Sequence, residues 1–398
     1  MSSVPATPPE TIAPRAAYAL VPMMLVAPPL MAVSPATVGV AVPLYALAWI
    51  ACVPRGIAWR APAAWFMLAV AAWGVISAQW ALDGELARDK AIRFALVATP
   101  IAWWMSTFAA GPPRAIVLRA VLAGGALAAL LLAVQTFGDF VLRSVVTGPL
   151  AVPAALKTNV PAAALVVFAW ILPAVATRVT GRLRALAFVT WVLVGLCAWA
   201  GDGIAPRLAF GAGVGVFLLA WRWPRACAVL LVAMLAASHV AAPRLLAHGF
   251  AGFTRDHSLW HRMEVWAFTG ETMAARPWFG VGFANSRAVP AGDGTFPLTG
   301  ARREIPMYPH NALLQAQLEL GVVGVVLCYG ALIALLRLSL AAARVPRAAA
   351  LAGIAAALAV WSVGYPLWRS TWLAWLWVAA ISWRIAAARA DGATCHAS

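Results

Sequence analysis

The sequence predicts an all-α polytopic membrane protein with about 12 transmembrane helices and a long periplasmic loop containing amphipathic helices. Hydrophobic residues make up 64% of the 398 residues, the mean hydropathy is +0.85, and only 11% of the residues are charged. A water-soluble chain of this length needs far more polar surface. The apolar stretches run for roughly 20 residues without alternation, so they favour spanning helices over the strands of a membrane barrel.

Twelve segments have the length and apolarity expected of a membrane span. They lie at about 16–33, 36–53, 62–80, 94–110, 115–136, 159–177, 185–200, 208–221, 226–242, 311–336, 348–365 and 370–387. The chain then divides into helices 1 to 9 over residues 1–242, a periplasmic loop over 243–309, and helices 10 to 12 with a cytoplasmic tail over 310–398.

The distribution of Lys and Arg predicts the orientation of these helices. With the N-terminus in the cytoplasm, 15 of the 29 Lys and Arg residues fall in short cytoplasmic loops, as the positive-inside rule expects. Both termini are then cytoplasmic. The net charge of +16 does not indicate a nucleic-acid partner, because the charges sit in short connections between spans.

The other 14 cations lie on the outer side, where the same rule disfavours them. Acidic residues on that side could balance them, or an anionic ligand could be held at the outer membrane face. Both explanations stay open for the whole set. We favour the ligand for cations that flank span ends, which are Arg88, Lys90, Arg143 and Lys157.

The outer loop of about 243–309 is too long to be a simple connector, and it contains a helical pattern near 257–275. Apolar residues such as Leu259, Trp266 and Met273 recur at helical spacing. The opposite side would carry His257, His261, Glu264 and Glu271. The pattern predicts an interfacial helix with its tryptophans at headgroup level.

The strongest local pattern is Pro309-His310-Asn311, followed after nine residues by Gly321-Val322-Val323-Gly324-Val325. It predicts that His310 lies at the outer mouth of a membrane helix, where an imidazole can exchange a proton near neutral pH. The free N–H groups of the helix N-terminus would suit an anion. The glycines would let a neighbouring helix approach closely. From these residues alone, His310 could equally be an interfacial capping residue.

This arrangement resembles the signature of the O-antigen ligase and O-antigen polymerase superfamily, in its WaaL-type ligase branch. The loop is similar to the family's loop as well, with Arg262, Trp266 and the run Arg276-Pro277-Trp278-Phe279-Gly280-Val281-Gly282. Pro206-Arg207 resembles the family's Ser-Arg element, with Pro in place of Ser. The specific resemblance covers about residues 200–330.

The resemblance implies a metal-independent glycosyltransferase, here a ligase of lipopolysaccharide biosynthesis, in the bacterial cell inner membrane with its active site facing the periplasm. The implied partners are an undecaprenyl-diphosphate-linked O-antigen glycan as donor, a sugar hydroxyl of lipid A-core as acceptor, and membrane lipids. No cofactor is implied.

Roles for individual residues follow from this chemistry. A sugar hydroxyl is a weak nucleophile, so His310 is expected to be the general base. Arg262 and Arg207 are expected to stabilise the leaving diphosphate, which departs with growing negative charge. Arg88, Lys90, Arg143, Lys157 and Asn311 are the further candidates for substrate binding. Attack opposite the diphosphate would invert the anomeric centre.

Several alternatives stay open. The chain could be an O-antigen polymerase or a protein O-oligosaccharyltransferase of the same superfamily. A polysaccharide transporter or flippase is disfavoured, because the two halves show no evident repeat. His257 and His261 have a spacing that can hold zinc, without a visible third ligand. Glu319 lies inside a predicted span, where it could serve a proton path or pair with an outer arginine.

Overall fold

The structure is a computed structural model that describes residues 16–52, 59–107, 115–138, 159–201, 203–253 and 256–388. These residues form an all-α protein without a named strand, and the one isolated β-bridge pairs Thr295 with Arg302. Both the all-α class and the polytopic membrane character predicted from the sequence are confirmed.

The first half of the chain is a series of apolar helices. They are α1 (Leu20–Val33), α2 (Pro35–Cys52), α3 (Pro62–Ser77), α4 (Gly84–Thr107), α5 (Ala115–Phe137), α6 (Asn159–Ala169), α7 (Leu172–Ala176) and α8 (Gly181–Ala200). Prolines stand inside α1, α2 and α4. Membrane helices accept such prolines because neighbouring helices and local adjustments satisfy the freed carbonyl groups.

The second half contains the elements that form the candidate site. They are α9 (Ile204–Arg222), α10 (Pro224–Ala241), α11 (His257–Ala275), α12 (Ala312–Leu340), α13 (Arg344–Val363) and α14 (Ser370–Ala387). Helix α11 belongs to the outer loop, and α9 packs closely along α13.

All twelve predicted spans coincide with helices, although some bounds differ. Eight spans in the described part of the chain are long and apolar enough to cross a membrane, and α1 and α3 are shorter apolar helices. The crossing number of twelve stays a prediction. Helix α4 begins at Gly84, about ten residues before the predicted span, so Arg88 and Lys90 lie in its first turns and not in a loop.

The surface and the interior of the bundle fit a lipid environment. Leu96, Leu218 and Val229 are more than 60% exposed on apolar stretches of α4, α9 and α10. Such side chains on the outside of a bundle are the expected contacts of hydrocarbon. The main core holds fully buried Trp104 and Trp375, so part of the tryptophan content serves packing.

A separate apolar core supports the outer loop. It joins Met263, Trp266 and Phe268 of α11 to Phe296 and Ile305 of the loop, and it also includes Leu314 and Leu318 of α12. The loop is therefore a packed layer on one end of the bundle. This layer holds the residues of the candidate site.

Candidate active site

The outer loop is locked into a break in α12. Gly321 interrupts the helix with φ 63° and ψ −153°, a conformation that is essentially restricted to glycine. The run after α11 fills the break, since Val322 N donates to Pro277 O at 3.1 Å and Val281 N donates to Leu318 O at 2.8 Å. A Cβ at Gly321 would overlap the Trp278 carbonyl group. The segment that approaches Gly321 is thus the outer loop, whereas the sequence analysis predicted that a neighbouring helix would approach there.

Helix α11 places Arg262 and fixes the segment before His310. Its N-cap is Asp256, whose side chain accepts from Leu259 N at 3.0 Å. One turn after Arg262, the indole of Trp266 donates to Pro309 O at 2.8 Å, and the ring is 5% exposed. Trp266 therefore packs in the core of the outer layer, and its position at headgroup level stays a prediction.

The polar side predicted for α11 is partly wrong as well. Glu264 is only 1% exposed, and its carboxylate accepts from Leu298 N at 2.5 Å and Thr299 Oγ1 at 2.6 Å. Buried carboxylates require such donors. Glu264 holds a second loop segment onto α11, which explains why an acidic residue lies inside the layer.

His310 has an unusual backbone and an unused ring nitrogen. Its φ is 56°, a left-handed conformation that is uncommon outside glycine and clusters at functional positions. Nδ1 is buried and has no hydrogen-bond partner among the described residues. The Tyr308 ring packs beside it, with centroids 4.5 Å apart. The imidazole is thus held by its neighbours while one nitrogen stays available.

Arg262 and Tyr308 meet at the C-terminal end of α13, close to His310. Arg262 Nε donates to Val363 O at 3.1 Å, and Tyr308 Oη donates to Gly364 O at 2.7 Å. These bonds satisfy carbonyl groups that a helix end leaves unpaired. Arg262 Nη1 also donates to Ser258 Oγ at 2.6 Å. Among the described residues, Nη2 of Arg262 has no protein acceptor.

The three side chains perturb one another electrostatically. Burial, then the positive charge of Arg262, lowers the pKa of His310 to about 4, against a smaller raising effect from the Gly364 backbone. Burial raises the pKa of Tyr308, which the charges of Arg369 and Arg262 oppose. His310 is therefore neutral at pH 7 and able to accept a proton, but it is a weak base in this state.

Arg207 is in the first turn of α9, and the N-terminal end of this helix lies beside the candidate site. Arg207 Nε donates to Trp199 O at 3.1 Å and Nη2 donates to Gly201 O at 2.5 Å, so the guanidinium binds the C-terminal end of α8. Ala205, in the same first turn of α9, lies 3.7 Å from the position of a Cβ on Gly364. The N-terminal end of α9 thus borders the site, while no bond joins Arg207 to Arg262 or His310 among the described residues.

The remaining predicted binding residues fall into three groups. Arg88 is exposed and Lys90 is half-buried near the start of α4, and in the connection just before this helix Trp80 Nε1 donates to Phe279 O of the outer loop at 3.1 Å. Arg143 and Lys157 lie outside the described residues. Asn311 is the N-cap of α12, with Oδ1 accepting from Leu313 N and Leu314 N, so the first N–H groups of this helix are already occupied.

Glu319 forms a buried junction in place of the pairing with an outer arginine that the sequence suggested. One carboxylate oxygen accepts from Ser286 Oγ at 2.5 Å and Gln315 Nε2 at 3.0 Å. The other accepts from Ala284 N at 2.9 Å and Trp368 Nε1 at 2.6 Å. All four donors are uncharged, and the three from Ser286, Ala284 and Trp368 tie α12 to the outer loop and to the segment before α14.

Within the described residues, no group of three or more His, Cys, Asp or Glu side chains could hold a metal ion. His257 and His261 lie on adjacent turns of α11. The expectation that transfer needs no metal stays a prediction.

Sequence reasoning missed Tyr308 and gave Arg369 no role. Arg369 was one of the 14 outer cations and stands next to a predicted span, which was a usable signal. Tyr308 lies two residues before His310, but nothing in the sequence links it to Gly364. That contact depends on how α13 ends.

The fold is that of an all-α polytopic membrane protein, and its candidate site brings Arg262 and Tyr308 of the packed loop together with His310 at the end of α13. A family model described as O-antigen ligase matches residues 192–329, which include α9, α11, the outer loop and most of α12. This match covers about a third of the chain, and it supports the resemblance to the O-antigen ligase superfamily.

Three rickettsial proteins provisionally named polysaccharide ligases are among its relatives. The protein of Rickettsia conorii is 28% identical over 136 residues, which cover 32% of this chain and 33% of that protein. The Rickettsia prowazekii protein is 38% identical over 71 residues, 17% of each chain, and the Rickettsia felis protein is 25% identical over 179 residues, 42% of each chain. The chain thus matches less than half the length of these relatives.

Proposed function

We propose that this chain is a glycosyltransferase that ligates an undecaprenyl-diphosphate-linked O-antigen glycan onto a sugar hydroxyl of lipid A-core at the periplasmic face of the inner membrane. The observation that carries the proposal is the convergence of Arg262, Tyr308 and His310 on Val363 and Gly364 at the end of α13. The family match and the names of the rickettsial relatives support transfer of a polysaccharide.

His310 is the general base in this proposal. The backbone of Gly364 acts on the ring by opposing the fall in the pKa of His310, and Nδ1 is buried without a partner among the described residues. A neutral imidazole carries its proton on one nitrogen and can accept a proton at the other. Positioned proton transfer of this kind accelerates reactions by about 10²- to 10⁴-fold.

Arg262 stabilises the leaving group. Val363 O and Ser258 hold the guanidinium through Nε and Nη1, which leaves Nη2 to bind an oxygen of the diphosphate. A planar guanidinium suits phosphate oxygens, and a site that is already ordered does not have to reorganise as charge develops. Cationic side chains could then take the part that a metal ion plays elsewhere.

Donor binding would also strengthen the base. The positive charge of Arg262 contributes to the lowered pKa of His310. A diphosphate beside Arg262 would offset that charge, so the pKa of His310 would rise toward neutrality once the donor is bound. His310 would thereby become a stronger base once the diphosphate leaving group is bound.

The reaction balances with these groups alone. The acceptor hydroxyl gives its proton to His310, and its oxygen forms a bond to the anomeric carbon of the donor glycan. The bond from that carbon to the diphosphate oxygen breaks, and undecaprenyl diphosphate leaves with the electron pair. Attack from the opposite side inverts the anomeric centre, and a product with retained configuration would contradict this step.

Two other enzymes of the superfamily use the same donor chemistry. A polymerase would pass the glycan to a second lipid-linked glycan, and a protein O-oligosaccharyltransferase would pass it to a protein hydroxyl. Offering the purified protein all three acceptors with one donor, followed by mass analysis of the products, separates these cases. We expect the product on lipid A-core.

A cell-based experiment separates catalysis from transport. The variant His310→Ala should abolish glycan attachment while protein level and export of lipid-linked glycan stay normal. His257→Ala is the matched control, because His257 is an exposed histidine at the start of α11. Loss of export itself in His310→Ala would indicate a transporter and would overturn the proposal.

A further inference from the structure

Four helices meet at the end of the bundle that lies opposite the candidate site. Helices α9 and α12 begin on the side of that site, whereas α10 and α13 end there, so the last turns of the first pair lie with the first turns of the second. One apolar core joins these turns, and it includes Ala220, Cys227, Leu336 and Ala348. The sequence analysis predicts that this end faces the cytoplasm.

Two exposed arginines, Arg225 and Arg344, stand in the first turns of α10 and α13. A positive charge is disfavoured there, because the N-terminal end of a helix dipole is itself positive. Neither first turn contains an acidic residue, and neither arginine belongs to the three ion pairs found among the described residues. These turns therefore form a region of positive charge without an acidic partner in the described part of the chain.

Contacts with the end of α9 hold Arg344 in place. Its Cζ lies 4.4 Å from the centroid of the Trp221 ring, and its Nε donates to Trp221 O at 3.4 Å. Stacking on an aromatic face leaves the other N–H groups of a guanidinium at its edge, where they can bind an oxyanion. Three residues later, Nε of Arg347 is buried and has no hydrogen-bond partner among the described residues.

An apolar groove of about 560 Å³ lies beside these arginines, on the outer surface of α9 and α10. Its lining residues include Leu219, Trp223, Val229 and Leu230, and each of these four side chains is more than 40% exposed. Exposed apolar side chains on a membrane helix contact lipid chains, and tryptophans favour the level of the headgroups. Trp223 lies two residues before Arg225, so the groove is continuous with the charged turns.

We propose that this end of the bundle binds an anionic phospholipid of the adjacent leaflet, with its phosphate at Arg225 and Arg344 and an acyl chain in the groove. A soluble anion would match the arginines but would leave the groove unused. A zwitterionic phospholipid would fit the groove but would not balance the excess positive charge. Basic pockets between membrane helices are suited to anionic headgroups for this reason. The inference does not depend on the proposed glycan transfer.

The test measures lipid binding to the purified full chain in detergent by native mass spectrometry. The probes are phosphatidylglycerol, phosphatidylcholine and soluble glycerol 1-phosphate. The variants are Arg225→Gln, Arg344→Gln and the double variant. Arg182→Gln is the matched control, because Arg182 is an exposed arginine in the first turn of α8 at the same end of the bundle, and α8 contributes nothing to the shared core.

We expect each single variant to weaken binding of the first phosphatidylglycerol by about fivefold, and the double variant by about 25-fold, as for the loss of one and two cations at a membrane surface. Arg182→Gln should stay within about twofold of wild type. Wild-type protein should bind phosphatidylcholine and glycerol 1-phosphate at least about tenfold more weakly than phosphatidylglycerol.

A second variant tests the groove without changing the charge. Ala233 lines the groove, so Ala233→Trp should fill it and weaken phosphatidylglycerol binding, while glycerol 1-phosphate binding stays as in wild type. Thermal unfolding gives a further readout that also reports whether each variant is folded. Phosphatidylglycerol should raise the Tm of wild type more than that of the double variant, because a ligand stabilises the state that binds it.

Equal losses in Arg182→Gln and Arg344→Gln would show that total charge attracts the lipid, and would overturn the inference. Equal affinity of wild type for phosphatidylglycerol and phosphatidylcholine would also overturn it. Glycerol 1-phosphate bound as tightly as phosphatidylglycerol, or unchanged lipid binding by folded Ala233→Trp, would contradict the role of the groove and with it the assignment to a phospholipid.

Discussion

The indole nitrogen of Trp266 donates a buried hydrogen bond of 2.8 Å to the carbonyl oxygen of Pro309, the residue directly before His310. Trp266 stands one turn after Arg262 on the same helix. Helix α11, which carries the proposed diphosphate-binding residue Arg262, therefore also holds the segment that carries the proposed base His310. The two groups are kept in register by a side chain that takes no part in the chemistry.

Replacing Trp266 with Phe should disturb this register without emptying the core. The variant keeps an aromatic ring but leaves the Pro309 carbonyl without its donor, which should cost about 1–3 kcal/mol of stability. We expect a larger loss in kcat than in donor affinity, measured in a transfer assay with purified protein. Trp278→Phe is the control, because Trp278 is 68% exposed. Equal kcat in the two variants would contradict the positioning role.

Gly321 should tolerate no side chain. Gly321→Ala would force a Cβ into a glycine-only conformation and against the Trp278 carbonyl group, with a cost of about 1–3 kcal/mol from backbone strain alone. Gly330→Ala in the same helix is the control, since a Cβ there meets nothing within 4 Å. Thermal unfolding in detergent should show a lower Tm for Gly321→Ala only. A normal Tm for that variant would mean that the break in α12 is not needed.

Glu319→Gln should loosen the junction between α12, the outer loop and the segment before Arg369. An amide NH₂ group would face two of the four donors that now meet a carboxylate, at a cost of about 1–3 kcal/mol. Proteolysis of the outer loop should accelerate as a result. The control Glu304→Gln removes a half-exposed acid and should change little. Unchanged proteolysis in Glu319→Gln would show that the junction does not hold the loop.

The pH dependence of transfer should reflect the environment of His310. With a pKa of about 4 in the free protein, His310 stays neutral at pH 5 and becomes protonated only as the pH falls toward 4. The acidic limb of kcat/KM, which reports the free enzyme, should therefore lie well below pH 6.5. The acidic limb of the kcat profile should lie at a higher pH than that of kcat/KM, because the bound diphosphate offsets the charge of Arg262 and raises the pKa of His310.

Arg262→Gln gives an independent check of that electrostatic account. Removing the neighbouring positive charge should raise the pKa of His310, so the acidic limb of kcat/KM should move to higher pH while the rate falls. The pH profile of residual transfer measures both effects. An acidic limb at the same pH in wild type and Arg262→Gln would show that Arg262 does not act on the base.

The helices were predictable from the sequence because apolar runs of membrane-spanning length leave the backbone few other choices. The twelve predicted segments accordingly coincide with helices. The start of α4 was missed because charged residues such as Arg88 and Lys90 mark a span boundary in hydropathy, although they continue a helix.

The site was only partly predictable. Spacing and resemblance pointed to Arg262 and His310, and the structure brings both to the end of α13. The roles of Trp266, Glu264 and Glu319 could not be predicted, because each depends on a partner from a distant segment that packs against it. A helical pattern locates the faces of a helix but not what covers them.

The most direct test of the central claim is the rate of glycan transfer by purified protein given a defined undecaprenyl-diphosphate-linked donor and lipid A-core acceptor. Wild type and His257→Ala should both form the glycosylated lipid A-core. His310→Gln should lose at least about 10²-fold in kcat while still binding the donor. Full transfer by folded His310→Gln would contradict the assignment of His310 as the base and, with it, the proposed site.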